Sequence, residues 1–171
     1  MGKLRGYFEV ATWEKTVYIR VVGLANFNNS HLFKDFVDEM LERSYRRFYV
    51  DLAGCQGIDS TFMGVLLGIH LYPKTSGDSG AACSVVVVNA NPHNRKLLNE
   101  LGLVRIIQVA EAPVQFPEGV HLERLGEERF DPDARIRLIK KAHENLVALD
   151  ERNREKFAPF LEALARELGK S

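Results

Sequence analysis

The chain has 171 residues, 46% apolar and 27% charged, which is enough apolar material for one packed domain with an appendage and too much for a disordered chain. Its 23 basic and 23 acidic side chains cancel, so no overall field argues for direct nucleic-acid binding, an anionic membrane or an acidic substrate. Cys55 and Cys83 lack zinc-site spacing and are expected as reduced thiols, and MGKLRGYFEV holds no apolar leader, so a cytoplasmic protein without membrane insertion is expected.

In chain order, FEVATW and TVYIRVV flank Glu14-Lys15 and predict a β-hairpin that lacks the usual glycine. After Gly23, LANFNNS reads as a polar turn in which Asn29 or Ser30 accepts from the first free amides of a helix. In that helix Leu32, Phe33, Phe36, Val37, Met40, Leu41 and Tyr45 recur at three and four, forming one core-facing stripe. FYVDL at 48–52 predicts a short buried strand, and the following GCQGIDSTFMGVLLGIH a glycine-punctuated loop running into a second helix.

Pro73 with TSGDSGAA predicts a loop, and Val85–Val88 a strand covered on both sides. Asn91-Pro92 supplies an N-cap and a first-position proline, Leu97, Leu98 and Leu101 the buried stripe, and Gly102 a left-handed stop. Val104 to Val109 predicts a last short strand. Composition changes near residue 126. Beyond it, Asp131-Pro132-Asp133 opens a helix with Leu138, Ile139, Ala142, Leu146 and Leu149 on one stripe. A second stripe, Phe157, Phe160, Leu161, Leu164, Ala165 and Leu168, is expected to kink or break at Pro159. The order β-β-α-β-α-β-α-β predicts an α/β fold on a mixed sheet, residues 1–124, with a helical extension, residues 127–171. The extension either folds back as a helical hairpin or serves as a dimerisation or partner-docking device.

The junction Asp59-Ser60-Thr61 falls after a strand and at the start of a helix, hence at the carboxyl edge of the sheet. The three residues either cap the helix or mark a place where a group is added. A phosphate on Ser60 would meet the positive end of the helix dipole, worth about 0.3–1 kcal/mol, so the fold should tolerate it while about two negative charges repel a docked protein. Asp59 can orient the hydroxyl and adds to that repulsion. Phe62 and Met63 in the first turn are candidate docking residues, with Phe62 equally readable as a ring tucked against its own loop. Gly64 and Gly68 leave one side of the helix bare, and packing onto the sheet is expected to repay their cost of about 1 kcal/mol each.

The segments YVDLAGCQGIDSTFMGVLLG and VVVVNANPHNRKLLNELGLVRII resemble a STAS domain, the fold of bacterial anti-sigma factor antagonists, over about residues 5–110. The D-S-T-x-x-G element with the later L-x-x-L-G-L carries the resemblance. It implies a STAS-like mixed β-sheet with helices mainly on one face, followed here by the α-helical extension. It also implies Ser60 as phosphoacceptor, with Asp59, Thr61 and Asn26 as its neighbours and Phe62, Met63 and Asn29 on a partner-binding surface. The implied partners are an anti-sigma factor that is also a serine kinase and a PP2C-type phosphatase, with a homo-oligomer through the C-terminal helices as a further expectation. Two positions depart from the family pattern: Gly23-Leu24-Ala25-Asn26 has asparagine where G-x-L-D is frequent, and Phe62 stands where glycine is usual.

An enzyme is not expected. No G-x-S-x-G elbow, H-x-x-x-H pair, carboxylate cluster or glycine-rich phosphate loop is present, so no catalytic residue, metal or cofactor is assigned. The five histidines read as scattered surface or packing residues. The alternative to a phosphorylation-controlled switch is a non-switching STAS scaffold or adaptor, in which Asp59-Ser60-Thr61 only caps a helix; a small ligand-binding or catalytic α/β domain is a third reading.

Overall fold

The computed structural model describes residues 5–75, 82–126 and 132–169. The predicted loop at 76–81 and the predicted cap Asp131 lie outside the described residues. Strands β1 (Tyr7–Trp13) and β2 (Thr16–Ala25) form the predicted hairpin, and Glu14 and Lys15 both take positive φ, 46° and 63°. That pair of left-handed residues gives a two-residue turn whose twist matches the strands, which explains how the hairpin closes without glycine.

Next come α1 (Ser30–Glu42), β3 (Arg47–Ile58), α2 (Ser60–Thr75), β4 (Ser84–Val88), α3 (Pro92–Glu100), a 3-10 turn (Leu103–Arg105), β5 (Gln108–Val109), β6 (Glu123–Arg124), α4 (Pro132–Leu149) and α5 (Glu151–Gly169). The six strands lie in the order β5-β4-β3-β2-β1-β6. β2 through β5 are parallel, while β1 pairs antiparallel with β2 on one side and with the edge strand β6 on the other, so the sheet is mixed. Each crossover from β2 to β5 steps the same way, and right-handed connections therefore carry α1, α2 and α3 to one face.

Between that face and the helices, Phe8, Ile19, Val21, Phe48, Val50, Leu52, Val85 and Val87 meet Phe33, Val37, Phe62, Leu66 and Leu98 in one core. The stripe of α1 points inward as predicted, with Phe33, Val37, Met40 and Leu41 buried. Val85–Val88 is buried throughout. The opposite face carries Tyr18, Tyr49 and buried Asp51, whose carboxylate holds Arg20 at 3.2 Å, the Asn89 amide and the Ala53 N–H.

Several boundaries differ from expectation. β3 does not stop at Leu52 but continues through the glycines to Ile58, because register shifts against β2 opposite Asp51–Gly54 and Cys55–Gly57 absorb one extra residue each. α2 runs through Pro73 to Thr75. Of the predicted strand 104–109, Val104 and Arg105 belong to the 3-10 turn Leu103–Arg105 that follows Gly102 (φ 87°), and only Gln108–Val109 pairs. Asn91 caps α3 as predicted, accepting from the Asn94 N–H at 2.7 Å. Asn29 precedes α1 without a capping bond. Pro159 lies inside a continuous α5.

The extension folds back. α4 lies along the outer side of α2 with Leu138, Ala142 and Leu146 buried, and α5 packs on α4. Buried Asn153 fastens the connection by donating to the carbonyls of Leu101 (3.0 Å) and Leu146 (2.9 Å), and Arg105 reaches Asp150 at 2.6 Å.

Candidate functional site

Asp59 resolves the question of what caps α2. Its Oδ1 accepts from the Phe62 N–H at 2.9 Å, closing the helix start, while its Oδ2 accepts from the Phe27 N–H at 2.8 Å and ties down the turn after β2. Both carboxylate oxygens therefore hold backbone, and the expectation that Asp59 orients the serine hydroxyl is not met. Burial pushes the Asp59 carboxyl above the usual carboxylate range, against the opposing pull of the Phe62 and Phe27 amides and of His143.

With the cap supplied by the acid, the Ser60 hydroxyl is free for another partner. That partner is not the amides of the first helical turn but His143 of α4: Oγ stands 2.8 Å from Nε2. The other ring nitrogen, Nδ1, lies 2.7 Å from the Ile139 carbonyl. A carbonyl only accepts, so Nδ1 carries the proton and Nε2 offers its lone pair to the serine O–H. Edges and faces of Phe157 and Phe160 from α5 meet the imidazole at 4.8 Å each.

The other nominated residues divide sharply. Ser60 is half-buried, whereas Thr61 is only 2% exposed. Phe62 is completely buried between Phe8 and Phe33, at ring distances of 6.2 and 5.1 Å, and Met63 is buried too. Neither side chain presents a docking surface; the first turn of α2 faces inward because its residues close the end of the core. Asn29 is likewise committed inside the protein, accepting from the Asn26 N–H at 3.0 Å and donating to the carbonyls of Leu24 (2.7 Å) and Gly6 (3.3 Å). Asn26 holds the same turn through Oδ1, which accepts from the Asn28 N–H at 2.9 Å. It belongs to the turn that Asp59 tethers.

Gly64 and Gly68 bare α2 toward α4 and not toward the sheet. A Cβ on Gly64 would stand 2.2 Å from the Ala142 carbonyl oxygen, and Asn145 donates to the Gly64 carbonyl at 3.2 Å. At the far side of the site, Arg135 of α4 donates through Nε to the Phe27 carbonyl at 3.3 Å and through Nη2 to the Asn28 side chain, with its guanidinium 5.1 Å from the Phe27 ring. Sequence reasoning missed His143, Arg135 and Asn145. The paired glycines demand a close neighbour without naming it, and the A-H-E-x-L segment at 142–146 holds His143 and Asn145 without saying what they meet.

Among the described residues there is no group of three or more His, Cys, Asp or Glu placed to hold a metal, and no helix long and apolar enough to cross a membrane.

Burial drives the His143 pKa below the usual imidazole value; the Ile139 carbonyl and the Asp59 charge, the charged group acting on it, pull the other way. A lowered folded-state value means that the neutral ring contributes fully above an unfolded pKa near 6.5 and that this contribution is lost as pH falls through the folded value. Amide exchange over α4, corrected for intrinsic rates, should therefore quicken on acidification below about pH 6.5. His143→Gln should flatten that dependence; an unchanged pH profile in the variant would assign it to another group.

A small α/β module with three helices on one sheet face and a serine at the mouth of the second helix defines the class of protein. Residues 7–115 match the family model of the STAS domain, and the chain belongs to that family. It is 32% identical over 85 residues to a Thermotoga maritima protein provisionally named an anti-sigma factor antagonist, an alignment that covers 49% of this chain and 71% of that protein. The crystal structure of a Thermotoga maritima protein with the same provisional name shares the fold at a TM-score of 0.51 and 24% identity, over 61% of this chain and 86% of that one. An anti-sigma factor antagonist from Mycobacterium paratuberculosis does so at a TM-score of 0.51 and 15% identity, over 63% and 87%. The family match ends before α4, so the helices that cover Ser60 lie outside it.

Proposed function

We propose that the protein is an anti-sigma factor antagonist of the bacterial cytoplasm that works as a phosphorylation-controlled binding switch. In this reading the bare chain sequesters an anti-sigma factor that is also a serine kinase. The kinase transfers the γ-phosphoryl group of ATP to Ser60 Oγ, ADP leaves, and the hydroxyl proton passes to the kinase's base or to water. A PP2C-type phosphatase hydrolyses the ester and resets the switch. The observation that supports this assignment is the division of labour at the helix mouth: Asp59 makes the cap, Thr61 is buried, and Ser60 keeps a hydroxyl that no backbone group requires. The 1–124 region would carry the switch and 127–171 its control.

Incubation of the full chain with its cognate kinase and ATP should add one phosphoryl group by intact mass, and Ser60→Ala should abolish the gain. Persistence of the gain in the variant would move the acceptor elsewhere. The scaffold reading has one specific observation in its favour, the bond from Ser60 to His143, which satisfies the hydroxyl within the protein; a wild-type chain that never gains phosphate would favour it.

A further inference from the structure

We propose that α4 is a cis-acting lid on the Ser60 surface: it holds the hydroxyl, the adjoining turn and the bare side of α2, and it must lift as one body before Ser60 is modified or the surface meets a regulator. The proposal rests on the reading of Ser60 as the acceptor.

The contacts of α4 converge on the elements such an event would use. His143 takes the serine hydroxyl, Arg135 takes the Phe27 carbonyl and the Asn28 side chain, and Asn145 takes the Gly64 carbonyl. With Nε2 2.8 Å from Oγ, the imidazole occupies the volume into which a phosphorus atom bonded to that oxygen would carry its own oxygens.

Small adjustments do not clear the space. Phe157 and Phe160 lie against the ring, restricting its rotation. Sliding along α2 is opposed by the backbone contact at Gly64, where even a methyl group would stand 2.2 Å from the Ala142 carbonyl oxygen. Close-packed contacts of this kind respond by switching between arrangements and not by gradual deformation. Asn153 of α5 also donates to the Leu146 carbonyl of α4, so the two tail helices are joined and departure as a unit is favoured. The same charge that would evict a partner would thus also expel the chain's own helix, leaving the modified protein open.

The test is hydrogen–deuterium exchange on the full chain, bare and with phosphoserine inserted at position 60 during translation. Amides of 134–149 are expected to exchange about tenfold faster or more in the phosphoserine protein, while those of β2, β3 and β4 keep their rates. Equal protection of α4 in the two proteins would overturn the lid. A second protein, Arg135→Ala with His143→Ala, removes the side-chain bonds from α4 to Ser60 and to the adjoining turn without adding bulk and should loosen α4 in the same way with Ser60 unmodified; if its α4 stays fully protected, those bonds do not hold the lid and the proposal fails. The phosphoswitch stands or falls separately: should phosphoserine open α4 while both forms hold the kinase equally well, the lid survives and the switch does not.

Discussion

Replacing Phe62 with alanine is expected to lower the unfolding free energy by about 3–5 kcal/mol, the usual cost of truncating a buried phenylalanine. The side chain has no exposed surface and joins three elements: its ring packs on Phe8 from β1 at 6.2 Å and on Phe33 from α1 at 5.1 Å, while Phe8 and Phe33 meet at 5.5 Å. Alanine would leave a void among rings that neighbouring backbone cannot fill. In a chain of this length the melting temperature should fall by roughly 6–20 °C. The measurement also separates two meanings of an aromatic residue beside the acceptor serine. A docking residue would leave stability within about 0.5 kcal/mol and weaken partner binding alone. A core residue does the reverse, and thermal unfolding of the isolated protein shows which holds.

Phe62 illustrates where the amino-acid pattern was legible and where it was not. The helical stripe of α1, the valine strand and the Asn91 cap all depend on neighbours within a few positions, and periodicity or a side-chain-to-backbone bond reveals them locally. Gly54 and Gly57 have two local meanings, loop or bulged strand, and only pairing with β2 selects the second. β6 is two residues long and exists because Glu123 and Arg124 find β1 more than a hundred positions away. The site divides in the same manner. The acid and hydroxyl at a strand-to-helix junction are adjacent in the chain, so Asp59 and Ser60 could be nominated together. His143 lies 83 positions from Ser60, and the A-H-E-x-L segment that contains it says nothing about what it meets. Its role follows from how α4 docks, and the docking follows from backbone contact at a glycine.

That contact makes Gly64→Ala the sharpest test of how the tail is seated. In an isolated helix the exchange would be favourable by about 1 kcal/mol, so α2 itself should gain stability. Against this, the new methyl group would stand 2.2 Å from the Ala142 carbonyl oxygen and 2.6 Å from its Cβ; the obstruction is backbone and the foot of a side chain, neither of which can swing away. Docking of α4 buries Leu138, Ala142 and Leu146, and a large aliphatic side chain of this kind is worth about 1.5–3 kcal/mol in burial. Relief of the clash by separation therefore forfeits several kcal/mol from the tail, and none from the sheet. The expected signature is split: α4 loses most of its amide protection while β2, β3 and β4 retain theirs. Gly68→Ala is the matched control. Its nearest neighbour is the Asn145 side-chain nitrogen at 3.2 Å, the movable end of a flexible group, so the tail should stay docked and the gain in helix propensity should dominate. If the two substitutions behave alike, close approach at Gly64 is not what seats α4.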